Sequence, residues 1–379
     1  MKLPAIALLL FATAANAQWV SPVEQSYGPY LAPSIGAEPA IVASNHGVLL
    51  AWSELDPITK ISAIRTGVLD FNGRLVSPIT KLPTYLAAAD ALGPVVATDG
   101  ETFAVAWQES STRGAAIALD ANGATTAQPL LFGRADVRLR GTPPLIWNGE
   151  AYQIHGLAFD HNSVPVFPET NLPASLRYAA GGAFVGMTWV SNPRTYRCGW
   201  GIGHGCNWFD AEFIITWEIV RGKQHAQRSK QMDYYATDPI VAGDDDELAI
   251  VWRAPDTFTG IRVDGEFNNS SFTFLKFTLR ESLDITRPEG IAFDGERWLV
   301  VFTRNDDIWG AFIDRNRTSH DFESFPIATG GRKESNARVT TLAPGRFLVS
   351  YSSDIGADDH RFAGRVVLAE SPKKTRAIR

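Results

Sequence analysis

One short pattern recurs along this chain and limits what it can fold into: an apolar run, a tight turn, then a strand ending in an aromatic residue. It reads "PAIVASNHGVLLAW" at 39–52, "PVVATDGETFAVAW" at 94–107 and "PIVAGDDDELAIVW" at 239–252. "LRYAAGGAFVGMTW" ends at Trp189, "EGIAFDGERWLVVF" covers 289–302 and "RVTTLAPGRFLVSY" covers 338–351. A degenerate copy, "PPLIWNGEAYQIHG", covers 143–156. The centres carry Asn, Asp, Pro and Gly, which tolerate positive φ or preset a turn. The flanking residues alternate apolar and polar, as expected of half-buried antiparallel strands.

A second hairpin follows most of the aromatics, as in "KISAIRTGVLDFNGRLVSPITKL" after Trp52 and "GAAIALDANGATTAQPLLF" after Trp107. One repeat is therefore four antiparallel strands, a to d. Successive copies end 49 to 63 residues apart, except for 33 residues between Gly156 and Trp189. Such a unit is a propeller blade. The expected fold is all-β, a seven-bladed β-propeller, or six-bladed if the third copy is not a full blade. The last copy has a, b and "HRFAGRVVLAE" as c, but no d. The segment "QWVSPVEQSYG" precedes the first a strand without a partner. The N-terminal strand is expected to supply the missing d, close the ring and remove an exposed edge.

The pattern resembles the bacterial secreted propeller repeats that read Pro, apolar, Asp-Gly, apolar, Trp. The likeness covers nearly the whole chain after residue 17 and implies fold rather than activity. The sialidase Asp-box and the Trp-Asp repeat signature are missing. The kelch di-glycine is missing too, apart from Gly181-Gly182.

Lys2, the apolar run "LPAIALLLFATAA" and Ala15-Asn16-Ala17 read as a signal peptide over 1–17. Cleavage takes the formal net charge from −6 to −7. The expected compartment is secreted or periplasmic. No later stretch reaches the 18 apolar residues of a membrane span. No basic stretch is long enough to track phosphates, so nucleic acid is not expected as a partner. The propeller is expected over 18–370, as a monomer, with a basic tail at 371–379.

Cys198 and Cys206 are the two cysteines. A close pair in an exported chain reads as a disulfide, stabilising by about 2–3 kcal/mol. Two Cys with His204 between them match no zinc pattern. No other cofactor is indicated. Asp244-Asp245-Asp246-Glu247 suggests calcium at first sight, but it lacks the spacing of a calcium loop and fits a charged hairpin turn.

The b–c and d–a loops share one face of such a ring and vary most, which makes that face the place to look for a site. It carries Glu54, Glu109, Asp256, Asp306 and Asp354, and also Asp307, Lys333 and Glu334. Converging carboxylates there suit general acid–base work on a glycosidic bond or cation coordination; the alternative is a solvated acidic rim. The largest departure from the repeat is the b–c segment at about 190–210, "VSNPRTYRCGWGIGHGCNWFD". Its Arg194, Tyr196, Arg197, Trp200, His204 and Trp208 are equipped to stack a sugar or anchor a protein. The competing reading is a plug that only stabilises the ring.

There is no Gly-x-Ser-x-Gly elbow, His-Glu-x-x-His or phosphate-binding glycine loop. The expected function is an exported, non-catalytic propeller binding a protein or glycan through this face. The alternative is a carbohydrate-active hydrolase or lyase with carboxylates near the axis.

Overall fold

A computed structural model describes residues 19–20, 24–30, 39–56, 58–84, 91–110, 112–133, 145–147, 150–154, 157–166, 177–181, 184–191, 194–198, 206–210, 214–221, 224–231, 237–243, 247–254, 257–264, 272–277, 285–315, 324–356 and 359–369. Every regular element among them is a β-strand. No helix there is long and apolar enough to cross a membrane.

Two N-terminal strands come first, β1 (Trp19–Val20) and β2 (Gln25–Tyr30). The first sheet is β3 (Ala40–Ala43), β4 (Val48–Leu55), β5 (Ser62–Leu69) and β6 (Thr80–Lys81). The second is β7 (Leu92–Thr98), β8 (Phe103–Ser110), β9 (Arg113–Leu119) and β10 (Leu130–Phe132). The degenerate copy opens a four-stranded sheet of its own: β11 (Ile146–Trp147), β12 (Tyr152–Ile154), β13 (Leu157–Phe159) and β14 (Pro165–Val166). The fourth sheet uses β15 (Arg177–Gly181) and β16 (Phe184–Ser191). The chain then forms a separate hairpin, β17 (Arg194–Cys198) and β18 (Cys206–Asp210), before returning as β19 (Ile214–Arg221) and β20 (Gln224–Gln231).

Next come β21 (Thr237–Gly243), β22 (Glu247–Ala254), β23 (Thr257–Asp264) and β24 (Phe272–Phe277), and then β25 (Ile285–Phe293), β26 (Arg297–Arg304), β27 (Asp307–Asp314) and β28 (Ser324–Ala328). The last sheet holds β29 (Lys333–Ala343), β30 (Arg346–Gly356) and β31 (Asp359–Leu368). Its fourth position is filled from the other end of the chain. Trp19 and Val20 pair with Leu368 and Val367, and Gln25, Ser26 and Tyr27 pair with Gly364, Ala363 and Phe362.

The turns form for a repeated local reason. Asp70 Oδ1 accepts the backbone N–H of Asn72 at 2.8 Å and of Arg74 at 2.9 Å. Asp120 does the same for Asn122 and Ala124, and Asp160 for Asn162 and Val164. Gly73 and Gly123 occupy the left-handed position of this turn at φ 76° and 79°. Ser163 takes that position in the third sheet at φ 57° and accepts the N–H of Ala118, in the neighbouring sheet, on its Oγ at 2.8 Å.

The half-buried alternation expected for the b strands does not hold. Val48 to Ser53, Phe103 to Trp107 and Arg297 to Thr303 are buried without a break. The reason is that these three sheets are covered on both sides. Leu49 and Ala51 pack with Phe103, Val105 and Trp107 of the second sheet. Val48, Leu50 and Trp52 pack with Leu348, Phe362 and Val366 of the last. Strands buried on both faces read as continuous apolar runs, which is what "VLLAW", "FAVAW" and "WLVVF" are.

Four repeat aromatics among the described residues share one direction. Trp107 packs toward the first sheet, Phe302 toward the β21–β24 sheet and Tyr351 toward the β25–β28 sheet. Each faces the sheet before it. Trp52 faces the last sheet, with its ring 5.9 Å from that of Phe362.

Candidate functional site

The b–c and d–a ends of the strands carry the candidate carboxylates, and strand alternation decides what each can do. Residues i and i+2 of a strand share a face, so a carboxylate two places after the repeat aromatic points the same way as that aromatic. Glu109 is buried, and its Oε2 accepts the indole N–H of Trp107 at 2.6 Å. Glu54 holds the same position after Trp52 but turns to Arg65, whose Nε donates to it at 2.8 Å. Both stand in strands β4 and β8 rather than in loops. Asp306 is exposed at φ 62° in the β26–β27 turn. Asp354 lies in β30, opposite Lys333 and His360 in register. Asp256 lies outside the described residues.

Asp244, Asp245 and Asp246 also lie outside them. Their neighbour Glu247 is held by two guanidiniums, Arg262 and Arg315, each at 3.2 Å. No group of three or more His, Cys, Asp or Glu side chains suited to a metal ion occurs among the described residues.

The candidate aromatic segment forms the β17–β18 hairpin. Its register pairs are Arg194 with Asp210, Thr195 with Phe209, Tyr196 with Trp208, Arg197 with Asn207 and Cys198 with Cys206. Trp200 and His204 lie outside the described residues. The hairpin leaves its parent sheet undisturbed, since β16 pairs with β19 directly over Val185–Ser191 and Ile214–Val220.

A second group of residues, only partly legible in the sequence, gathers where the N-terminal segment meets the last two sheets. Glu24 precedes β2. Its Oε2 accepts the hydroxyl of Tyr351 at 2.8 Å and lies 3.4 Å from Arg365, and its Oε1 lies 3.7 Å from Arg332. Burial pushes the Tyr351 hydroxyl far above the usual phenol range, and Glu24 adds to it. Glu334, at the start of β29, is 2% exposed. Burial, then Asp307 and Glu24, push its carboxyl up to about 7 against the pull of Arg365 and Arg332. Burial also raises Asp307, with Asp306 contributing. Asp307 and Glu334 are visible in sequence as acidic loop residues. Glu24, Arg332 and Arg365 carry no local signal, and the repeat marks Tyr351 as a packing aromatic rather than as a polar partner.

Neighbouring sheets are also pinned by single side chains. Glu289 accepts the hydroxyl of Thr303 at 2.8 Å and the backbone N–H of Ala337. Tyr152 reaches from the third sheet to the N–H of Asp99 at 3.1 Å and the hydroxyl of Thr102 at 2.9 Å. These contacts are scaffold: they fix the sheets whose ends form the face.

No protein-family model matches the sequence, and no curated protein matches it. Solved structures do. The β-propeller domain of the Trilobed protease from Pyrococcus furiosus, described as having an open velcro topology, aligns with a TM-score of 0.52 at 12% identity, over 93% of this chain and 99% of that one. The fold is a β-propeller. The WD40 domain of Toxoplasma gondii coronin aligns with a TM-score of 0.50 at 11% identity, over 95% of this chain and 88% of that one. A protein of unknown function from Dyadobacter fermentans gives 0.50 at 12%, over 92% and 100%. At these identities the likeness carries the propeller architecture alone. Its four-stranded sheets are blades, and Glu54, Glu109, Asp306, Asp354 and the β17–β18 hairpin belong to their b–c ends.

Proposed function

We propose that this chain is an exported, non-catalytic seven-bladed propeller that binds a protein or glycan through its b–c and d–a face, with the β17–β18 hairpin as its contact element. The hairpin is the observation that carries this reading. It is the longest departure from the repeat, it forms its own two-stranded sheet, and the parent blade does not use it. Rigid scaffolds present variable segments of this kind to partners. Tyr196 and Trp208 are register partners there, flanked by Arg194 and Arg197. The binding reading is favoured over a hydrolase or lyase because the carboxylates of Glu54 and Glu109 are engaged inside their own blades.

The seven-blade count rests on the four-stranded sheet of the degenerate copy. Ring closure is supported by Trp52, which packs on the last blade as later aromatics pack on the preceding one. A bond from the N–H of Ala43 to Thr340 Oγ1 at 3.2 Å and one from Arg346 to Asn72 at 2.7 Å run across the same joint.

A Cys198–Cys206 disulfide closes the hairpin in this proposal. Directly opposed residues of antiparallel strands have Cα atoms about 4.5–5.5 Å apart, within disulfide range. Leader cleavage after Ala17 and export complete the reading.

The test is a glycan array, with affinity capture of protein partners, using the wild type and a variant lacking 194–209. Because β16 pairs with β19 without the hairpin, the variant is expected to keep its fold and lose the ligand. Equal binding by both proteins would remove the hairpin from the reading.

A further inference from the structure

One buried carboxyl stands where three parts of the chain meet. Glu334 opens β29, and its Oε2 has no hydrogen-bond donor among the described residues. Its backbone N–H donates to the carbonyl oxygen of Asp306 at 2.7 Å, which fixes it against the β26–β27 turn. Charged groups approach it from every described element packed there. Asp307 comes from β27, with Asp306 in the same turn. Glu24 comes from the N-terminal segment, Arg365 from β31 and Arg332 from the residues leading into β29. On its own strand, Lys333 lies opposite Asp354 of β30, and Asp354 lies opposite His360 of β31; Glu334 itself lies opposite Ser353 of β30, which lies opposite Arg361 of β31.

Glu24 is also a side-chain tie between the N-terminal segment and the last blade, through Tyr351, Arg365 and Arg332, beside the packing of Tyr27 on Leu348 and Phe362. Among the charged groups that act most strongly on Glu334, two carboxyls, Asp307 and Glu24, oppose two guanidiniums, Arg365 and Arg332, and the Glu334 carboxyl itself is buried with its Oε2 unpartnered. We propose that Glu334 is a proton-operated catch on the N-terminal strand. Carrying its proton, it lies neutral beside Glu24 and Asp307, and β2 stays paired with β31. Without the proton, three carboxylates face two guanidiniums, Glu24 is repelled, and the strand loosens from the blade edge. The effect is reciprocal: a segment that leaves takes Glu24 away and makes the remaining charge easier to bear. Because burial and its neighbours bring the carboxyl to about 7, the catch works near neutrality.

The test is hydrogen–deuterium exchange on the full chain, read at the amides of Gln25, Ser26 and Tyr27 and corrected for intrinsic rates. Protection in the wild type is expected to fall by about tenfold or more between about pH 5.5 and about pH 8.5. Glu334→Gln is expected to hold the same protection at both. Asp307→Asn is a second, independent arm, in which the midpoint of the fall moves to lower pH. The proposal is overturned if wild-type protection does not depend on pH or if Glu334→Gln loses protection as the wild type does. Should Glu334→Gln not fold, an unmoved midpoint in Asp307→Asn overturns it.

Discussion

At the scale of single residues, the repeat is a set of interchangeable positions whose exceptions say what each position is for. The left-handed turn position is Gly73 in the first blade, Gly123 in the second and Ser163 in the third. A non-glycine residue there bears a backbone penalty. Ser163 keeps its place because its hydroxyl accepts the Ala118 N–H of the adjacent blade. Ser163→Ala is expected to lower stability by about 1–2 kcal/mol, since it keeps the strained φ and leaves a buried N–H unpaired. Urea unfolding would show this as a shifted midpoint with an unchanged slope. Gly114 is fixed for a steric reason: a Cβ there would sit 2.0 Å from the Phe132 ring, which lies opposite it on β10. Gly114→Ala is expected to displace that ring and cost about 1–3 kcal/mol, the range for overpacking, measured by thermal unfolding.

At the scale of elements, the strands were legible and their neighbours less so. The aromatic at the end of each b strand announces the blade because a large apolar group recurs where two sheets must pack. The third copy, which lacks that aromatic, left six or seven blades open in the sequence, although Asn148-Gly149 marks a turn there; the structure gives it a four-stranded sheet. Two-sided burial is not legible in these runs, because short apolar segments look alike whether one face or both are covered. The pairing of the N-terminal segment with β31 could be anticipated from a missing strand. The Glu24–Tyr351 bond could not, since its partners lie 327 residues apart and the repeat marks Tyr351 for packing rather than for a hydrogen bond.

Tyr351→Phe tests that tie. It is expected to cost about 1–2 kcal/mol and to raise proteolytic cutting within residues 18–30 more than elsewhere. Truncating the chain before residue 31 is expected to expose the edge of β31 and promote self-association, detectable by size-exclusion chromatography. In the β17–β18 hairpin, alkylation of the denatured, unreduced protein is expected to leave Cys198 and Cys206 unlabelled. Labelling of both would exclude the disulfide.

At the scale of the whole molecule, two opposed sets of carboxyls shape the response to pH. Asp99 resists partial burial because the N–H and hydroxyl of Thr102 and the N–H of Glu101 hold it below the usual carboxylate range. Such turn aspartates support the fold above their unfolded pKa, and that support is lost as pH falls through their folded values. Glu334 has the opposite sign. Its folded value of about 7 exceeds the ordinary 4.5, so the native state binds more protons between those two points. Its contribution is complete below 4.5 and is lost as pH rises through about 7. Glu334→Gln is therefore expected to be more stable than the wild type at pH above 7, by about 2 kcal/mol, with no gain in acid. Melting temperatures of both proteins across pH would show the curves separating on the alkaline side.

The joint between the two ends of the chain also sets a schedule for synthesis. Trp52 packs on residues as late as Val366, and Gln25 pairs with Gly364. A ribosome that has made the first blade has not yet made the surface that covers one side of it. That side of the blade stays uncovered until residues 348–366 have been made. The first sheet and the N-terminal strands therefore reach their native neighbours only after β30 and β31 exist, later than the second sheet, whose partners lie close by in the sequence.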